Sequence, residues 1–283
     1  MSAIYMQIED EFGDVVGKAR RGQEIDAAEL CRQVGLTGRE LERLESYEFT
    51  PGTEEIAHLA QALHLHPQKL QDSADGRYFP LYPAGRSVTD VSVEMLVLGT
   101  DFLMNGYVVG CKVTGRGIVV DPGFDAEKIL KAVDASGLEV EQVLLTHGHG
   151  DHTGALSEVC QATGAPARIN AADCHLLGSL ERKVEGQLVD GDVISVGQQR
   201  FAVAATPGHT AGGVSLVHDS VAIVGDALFA GSLGGTRRLD DYRAQMAAVG
   251  ERILLLDEHV ILYPGHGPAT TVGEERAHNP FFQ

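Results

Sequence analysis

The chain has 283 residues, of which 43% are hydrophobic, and a formal net charge of −18. That is enough apolar material for one large domain or two unequal ones, while the acidity disfavours nucleic acid as a substrate, because phosphate contacts need a cationic surface. No apolar run approaches bilayer length, and the start, MSAIYMQIEDEFGDVV, has neither the basic nor the apolar region of a secretory signal. Four cysteines (Cys31, Cys111, Cys160 and Cys174) lack CxxC spacing and read as reduced thiols of a cytoplasmic protein with no membrane partner.

Residues 1–72 read as a small all-α domain. Apolar residues recur at helical spacing in AAELCRQVGL, RELERLESY and TEEIAHLAQALHL. Gly35 and the pair Pro51-Gly52 punctuate these helices, and Thr37 and Thr53 are expected as N-caps. Residues 73–92 carry prolines and glycines without periodicity and are expected to form a linker, or an arm lying on a neighbouring surface. From 93 to 283 the texture alternates. β-rich runs (EMLVLG, GYVVGCKVTGRGIVVDPG) precede the helix DAEKILKAVDASG and the apolar strand VEQVLLTH. The helix GALSEVCQATG follows, then the strands DVISVGQQRFAVAATPG and GVSLVHDSVAIVGD, the helix DDYRAQMAAVGERILLL and a last strand, HVILYPGHG. Two such halves suggest two sheets packed face to face with helices outside.

The segment THGHGDHTG follows the strand VEQVLL and packs three imidazoles and a carboxylate into six residues: His147, His149, Asp151 and His152. Three further strands also end in a loop bearing one ligand-type side chain: TPGHT with His209, VGDALF with Asp226, and YPGHGP with His266. Strand ends can gather on one rim of a sandwich, so these seven are candidates to converge. Imidazole and carboxylate suit Zn²⁺, with Fe²⁺ or Mn²⁺ as alternatives. Seven groups exceed the needs of one ion and fit two ions sharing a carboxylate. His64 and His66 read as solvated helix-end residues, and His58, His218 and His259 as surface or edge positions.

The motifs THGHGDHTG, PGHT, GDALF and PGHGP, in that order over residues 93–283, resemble the metallo-β-lactamase superfamily. The resemblance implies an α+β chain: an αββα sandwich preceded by the small all-α domain. It implies one metal held by His147, His149 and His209, a second by Asp151, His152 and His266, and Asp226 bridging them. VDPGFDAEKI, LLTHGHGDHTGA and GHGPATTVGEERAHNPFF look most like the glyoxalase II-like hydrolases, which cleave small acyl thioesters through a metal-bridging hydroxide, with Asp151 and Asp226 as catalytic groups. Where those enzymes carry Gly-Arg-x-Asp, this chain has GSLGGTRRLDD, with Gly235 in place of the arginine. Arg237, Arg238 and His175 are candidates to contact a substrate. An iron-dependent persulfide dioxygenase and a lactonase are the alternatives within the superfamily.

The stretch ELCRQVGLTGRELERLESYEFTPGTEEIAHLAQALHLHPQKL resembles the Cro/repressor-like helix-turn-helix domain, which opens a rival class: a DNA-binding regulator with a metabolite-sensing metal domain. Charge argues against it. Residues 1–72 hold seven Lys/Arg against fourteen Asp/Glu, and the expected recognition helix carries Glu40, Glu42, Glu45 and Glu48 against Arg39 and Arg43. The expectation is a helical fold reused for homodimerisation or for covering the active-site rim.

Overall fold

In the computed structural model, which describes residues 7–283, the chain opens with five helices. They are α1 (Phe12–Gly22), α2 (Ala27–Val34), α3 (Gly38–Glu45), α4 (Thr53–Ala62) and α5 (Pro67–Ala74); residues 1–6 of the expected domain lie outside the described residues. Periodicity had marked only three of these. Three glycines in α1 (Gly13, Gly17 and Gly22) weaken its helical signature, yet Gly13 has a packing reason. A Cβ there would lie 2.4 Å from the carbonyl oxygen of Leu44, so the crossing of α1 over α3 requires its absence. Thr37 caps α3 in a reciprocal box: its hydroxyl accepts from the amide of Glu40, whose carboxylate accepts from the amide of Thr37. Thr53 does not cap α4. It is the first helical residue, and Gly52 is the N-cap.

Among the described residues twelve strands form two six-stranded sheets. The first contains β1 (Val91–Leu98), β2 (Met104–Cys111), β3 (Arg116–Val120), β4 (Glu139–Leu144), β5 (Ala167–Ile169) and β6 (Val184–Gln187), in that spatial order. The second contains β7 (Val193–Val196), β8 (Gln199–Ala205), β9 (Val214–Val217), β10 (Val221–Gly225), β11 (Ile261–Pro264) and β12 (Thr270–Thr271), also laid out in sequence order. Alternation of side chains along each strand sets the layering. Tyr107, Val109, Ile118, Val120 and Leu144 of the first sheet meet Phe201, Val203, Val221, Ile223, Ile261 and Tyr263 of the second in one interior core. Their neighbours in sequence (Val108, Val119 and Val143) face outward onto α6 (Ala126–Ser136) and α8 (Leu156–Thr163).

The outer face of the second sheet is closed differently. Ala222, Val224 and Leu262 belong to the same apolar cluster as Val16, Leu30, Leu44, Ile56, Leu59 and Leu70 of the N-terminal helices. Val249 and Ile253, which follow α9 (Leu239–Ala248), and Val272 of α10 (Val272–His278) complete that cluster. The N-terminal helices thus share a core with the sandwich and form part of its outer layer. The segment expected as linker begins inside α5, which runs to Ala74, and then lies along the sandwich. Tyr78 donates to Glu275 at 2.9 Å, the Leu81 amide to Glu274 at 2.7 Å, and the Pro83 carbonyl accepts from the Ala269 amide at 2.8 Å. The fold is a mixed α+β two-sheet sandwich with an N-terminal helical region. Among the described residues no helix is long and apolar enough to cross a membrane.

Candidate metal centre

β10 and β11 run parallel, and β8 is related to β10 through two antiparallel pairings, so all three point the same way. Their C-terminal ends deliver Asp226, His266 and His209 to one rim of the sandwich. β4 delivers the segment from His147 to His152, whose last residues form the single turn α7 (Gly150–Thr153). The structure brings all seven candidate side chains together. Ligand-type atoms of His147, His149 and His209 lie within 4.8 Å of one another, as do those of Asp151, His152 and His266. Asp226 stands between the two groups. Its Oδ2 lies 3.3 Å from His209 Nε2 and 3.6 Å from His266 Nε2, and its Oδ1 lies 3.4 Å from His152 Nε2. His266 Nε2 is 3.3 Å from Asp151 Oδ2. Gly265 makes this approach possible, because a Cβ there would fall 2.0 Å from Asp226 Oδ1.

Hydrogen bonds on the far side of each ring fix which nitrogen faces the centre. His152 Nδ1 donates to Asp121 at 3.0 Å, His209 Nδ1 to the Gly235 carbonyl at 2.9 Å, and His266 Nδ1 to the Leu103 carbonyl at 2.8 Å. The Thr146 hydroxyl gives its proton to Asp121 at 2.6 Å, so it accepts from His147 Nδ1 at 3.2 Å. Four rings therefore turn Nε2 inward. His149 is the exception, presenting Nδ1 at 3.0 Å from His209 Nε2. Two imidazole lone pairs at that distance repel unless a cation or proton lies between them.

Burial and orphaned atoms test whether a metal fits. His147 Nε2 and Asp226 Oδ1 are buried and have no hydrogen-bond partner among the described residues, an arrangement that is costly without a cation to serve. Burial, reinforced by the neighbouring imidazoles, holds His147 well below the usual histidine range and so neutral. Burial opposes charge on Asp226 and Asp151, but the adjacent histidines outweigh it. Asp226 is lowered, and Asp151 is held at about 2, chiefly by its hydrogen bond with His266. His266 itself is raised to about 9 against burial, by Asp151 and Asp226, so a cation entering beside it would displace a proton. Neutral imidazoles and ionised carboxylates are the forms that bind divalent metals. His147, Asp151 and Asp226 are already in those forms. His152 and His266 are raised by the carboxylates beside them and would give up a proton on binding, and the seven groups suit two ions.

Asp121 also lies among possible ligand atoms, beside His147 and His152. Its oxygens already accept from the Thr146 amide and hydroxyl and from His152, so it orients ligands and is not one. Sequence reasoning passed over it although VDPG ends a strand as the other site segments do. Asp173 was also missed. Buried in a 3₁₀ helix (Ala171–Lys183), it accepts from the Gly148 amide at 3.0 Å and the Gly212 amide at 2.7 Å. It thereby ties the loop of His147 and His149 to the loop of His209. Phe102 was not foreseen either: its ring lies 5.2 Å from that of His266 and is 55% exposed at the rim. Arg237, Arg238 and His175 are exposed, and no described contact joins them to the seven.

Comparison with known proteins agrees with this geometry. A profile described as the metallo-beta-lactamase superfamily matches residues 99–266, and the chain belongs to that superfamily, whose fold binds two metal ions. The hydroxyacylglutathione hydrolase GloC of Haemophilus influenzae is 32% identical over 181 residues, covering 58% of this chain and 85% of that protein. The crystal structure of BLEG-1 B3 metallo-beta-lactamase superposes with a TM-score of 0.61 at 30% identity, covering 67% of this chain and 99% of the other. TTHA1623 in a di-iron-bound form gives a TM-score of 0.56 at 30% identity, covering 66% and 98%.

Asp173 offers a test that leaves every ligand in place. In Asp173→Asn an amide NH₂ must face one of two backbone N–H groups, loosening the loops it joins. Metal binding, read by competition with a chelator, is expected to weaken about 10- to 100-fold. Unchanged affinity in the folded variant would show that the loops hold themselves.

Proposed function

We propose that this member of the metallo-beta-lactamase superfamily hydrolyses a small acyl thioester or related ester at a two-metal centre, with Zn²⁺ as the ion and Fe²⁺ or Mn²⁺ as alternatives. The observation that carries the reading is Asp226, whose two oxygens face both histidine groups at 3.3–3.6 Å. The similarity to a hydroxyacylglutathione hydrolase supports the substrate class. On this reading His147, His149 and His209 would hold one ion and Asp151, His152 and His266 the other, with Asp226, which stands between the two groups, available to both. Bound there, divalent ions supply Lewis acidity at the acyl carbonyl and a water made nucleophilic near neutral pH.

The chain's own groups do the remainder. Asp151, less buried than Asp226, accepts a hydrogen bond from the attacking water and orients it. Phe102 offers an apolar wall at the mouth for the acyl group. A thiolate leaves with a pKa near ~8.5, so no acid from the protein is needed to expel it. Arg237 and Arg238, exposed at the start of α9, and His175 are the groups available to a substrate carboxylate.

A second reading has its own observation: the 30% identity to a B3 metallo-beta-lactamase makes β-lactam ring opening, also acyl transfer to water, the rival activity. A panel of acyl thioesters, lactones, a β-lactam and glutathione persulfide with oxygen uptake separates the readings. Thiol release from thioesters is expected, and Asp226→Ala is expected to lower it by about 10²- to 10³-fold, the scale on which losing a transition-state electrostatic partner is felt. Ring opening alone, or oxygen uptake with one iron per chain, would overturn the thioesterase assignment.

The N-terminal helices, in a helix-turn-helix-like arrangement, serve the catalytic part and do not read DNA. Five of their seven cations are engaged with carboxylates: Lys18 with Asp10, Arg20 and Arg21 with Glu45, Arg32 with Glu29, and Arg43 with Glu48. Lys69 donates to the carbonyls of Arg276 and Phe282. Little positive charge is left for phosphates. Mobility-shift selection with the full chain is expected to yield no preferred duplex at physiological salt; one sequence bound below about 1 μM, the range of specific DNA binding, would restore the regulator reading.

A further inference from the structure

Lys18 lies in α1, outside the residues that match the superfamily, yet its side chain is only 17% exposed. It is spent on the loop that follows Asp226. Its Nζ donates to the Leu233 carbonyl at 2.9 Å, pairs with Asp10, and sits 4.6 Å above the centre of the Phe229 ring. The Phe229 ring in turn packs 5.6 Å from that of His266. Two residues beyond Leu233, the Gly235 carbonyl accepts the Nδ1 proton of His209. Among the described residues a Cβ on Gly235 would meet only Lys18 Cε, at 3.9 Å, so the lysine stem is the side chain that lies beside that residue. At the end of α1, Gly22 presses on Thr236 so closely that a Cβ would lie 2.6 Å from its hydroxyl.

The loop has other anchors. Gln245 donates to the carbonyls of Ala227 and Gly234 at 3.0 Å each, and Asn279 donates to that of Ser232 at 3.0 Å. Among the carbonyls nearest Gly235, Leu233 is held from the N-terminal helices.

We propose that Lys18 is a positioning residue for the metal centre. By holding the Leu233 carbonyl, two residues before Gly235, it fixes the course of the loop whose Gly235 carbonyl sets the ring orientation of His209, and so the aim of His209 Nε2. The N-terminal helical region is then a working part of the centre and not a detachable module. This rests on the assignment of the seven residues as metal ligands, and the wild-type protein tests that assignment independently.

The experiment uses the full chain stripped of metal and titrated with Zn²⁺ against a chelator, with His209→Ala identifying which binding step belongs to the His147/His149/His209 group. Lys18→Met keeps the stem and removes the donor. It is expected to weaken that step about tenfold and leave the other unchanged. It should also speed solvent exchange of the His209 Nδ1 proton, read by NMR. Lys18→Arg is expected to restore both. Lys18→Met leaves Asp10 buried without its partner, which is destabilising. If it does not fold, the double variant Asp10→Asn/Lys18→Met removes the pair as a unit and carries the same expectation. Wild-type affinity at both steps in a folded variant would overturn the proposal. Equal weakening of both steps would also overturn it, since that is the mark of a general loss of stability. A wild type that takes up no Zn²⁺ would instead overturn the ligand assignment beneath it.

Discussion

Electrostatic crowding governs this structure. Five imidazoles and two carboxylates are aimed at one small volume, several of them buried, with facing ring nitrogens as close as 3.0 Å. Unpaired polar groups in such a setting cost free energy that no packing nearby returns. Positive charge placed among them offsets the cost, and two divalent ions would use all seven groups. The surroundings read as the means of holding the groups in place: strand ends that stop on one rim, a glycine beside His266 where a side chain would strike Asp226, and acceptors behind four of the rings.

Support for the centre comes from three directions. Asp121 and Thr146 hold His147 and His152 from within the first sheet. Asp173 joins the loops of His149 and His209 from the 3₁₀ segment. The loop after Asp226 is held from α9 by Gln245 and from α1 by Lys18. The last of these depends on the outer face of the second sheet being closed by helices that precede the superfamily's residues. Ala222 and Val224 alternate with Val221 and Ile223, so β10 is apolar on both faces. A strand of that kind must be covered on both sides.

The parts legible in the sequence were those written in short-range patterns. The ligand-bearing segments share one local form, an apolar strand running into a glycine-flanked loop, and four copies of it outlined the rim. Helical periodicity found α2, α3 and α4 but said nothing of what their apolar faces would meet, so the core shared with the sandwich could not be read. Asp173 reaches its partners across 25 and 39 residues of chain, and no local pattern encodes such a contact. The strands β5 and β6 are three and four residues long and pair in parallel. Segments that short carry too little alternation to stand out from the irregular chain around them.

The seven converging side chains are proposed as ligands of two ions. Elemental analysis of the full chain, expressed with Zn²⁺, Mn²⁺ and Fe²⁺ supplied and then exhaustively dialysed, tests that assignment most directly. About two divalent ions per chain are expected, falling when His147 and His266 are both replaced by alanine in a protein that still folds. No bound metal, or a content unchanged by those replacements, would contradict it.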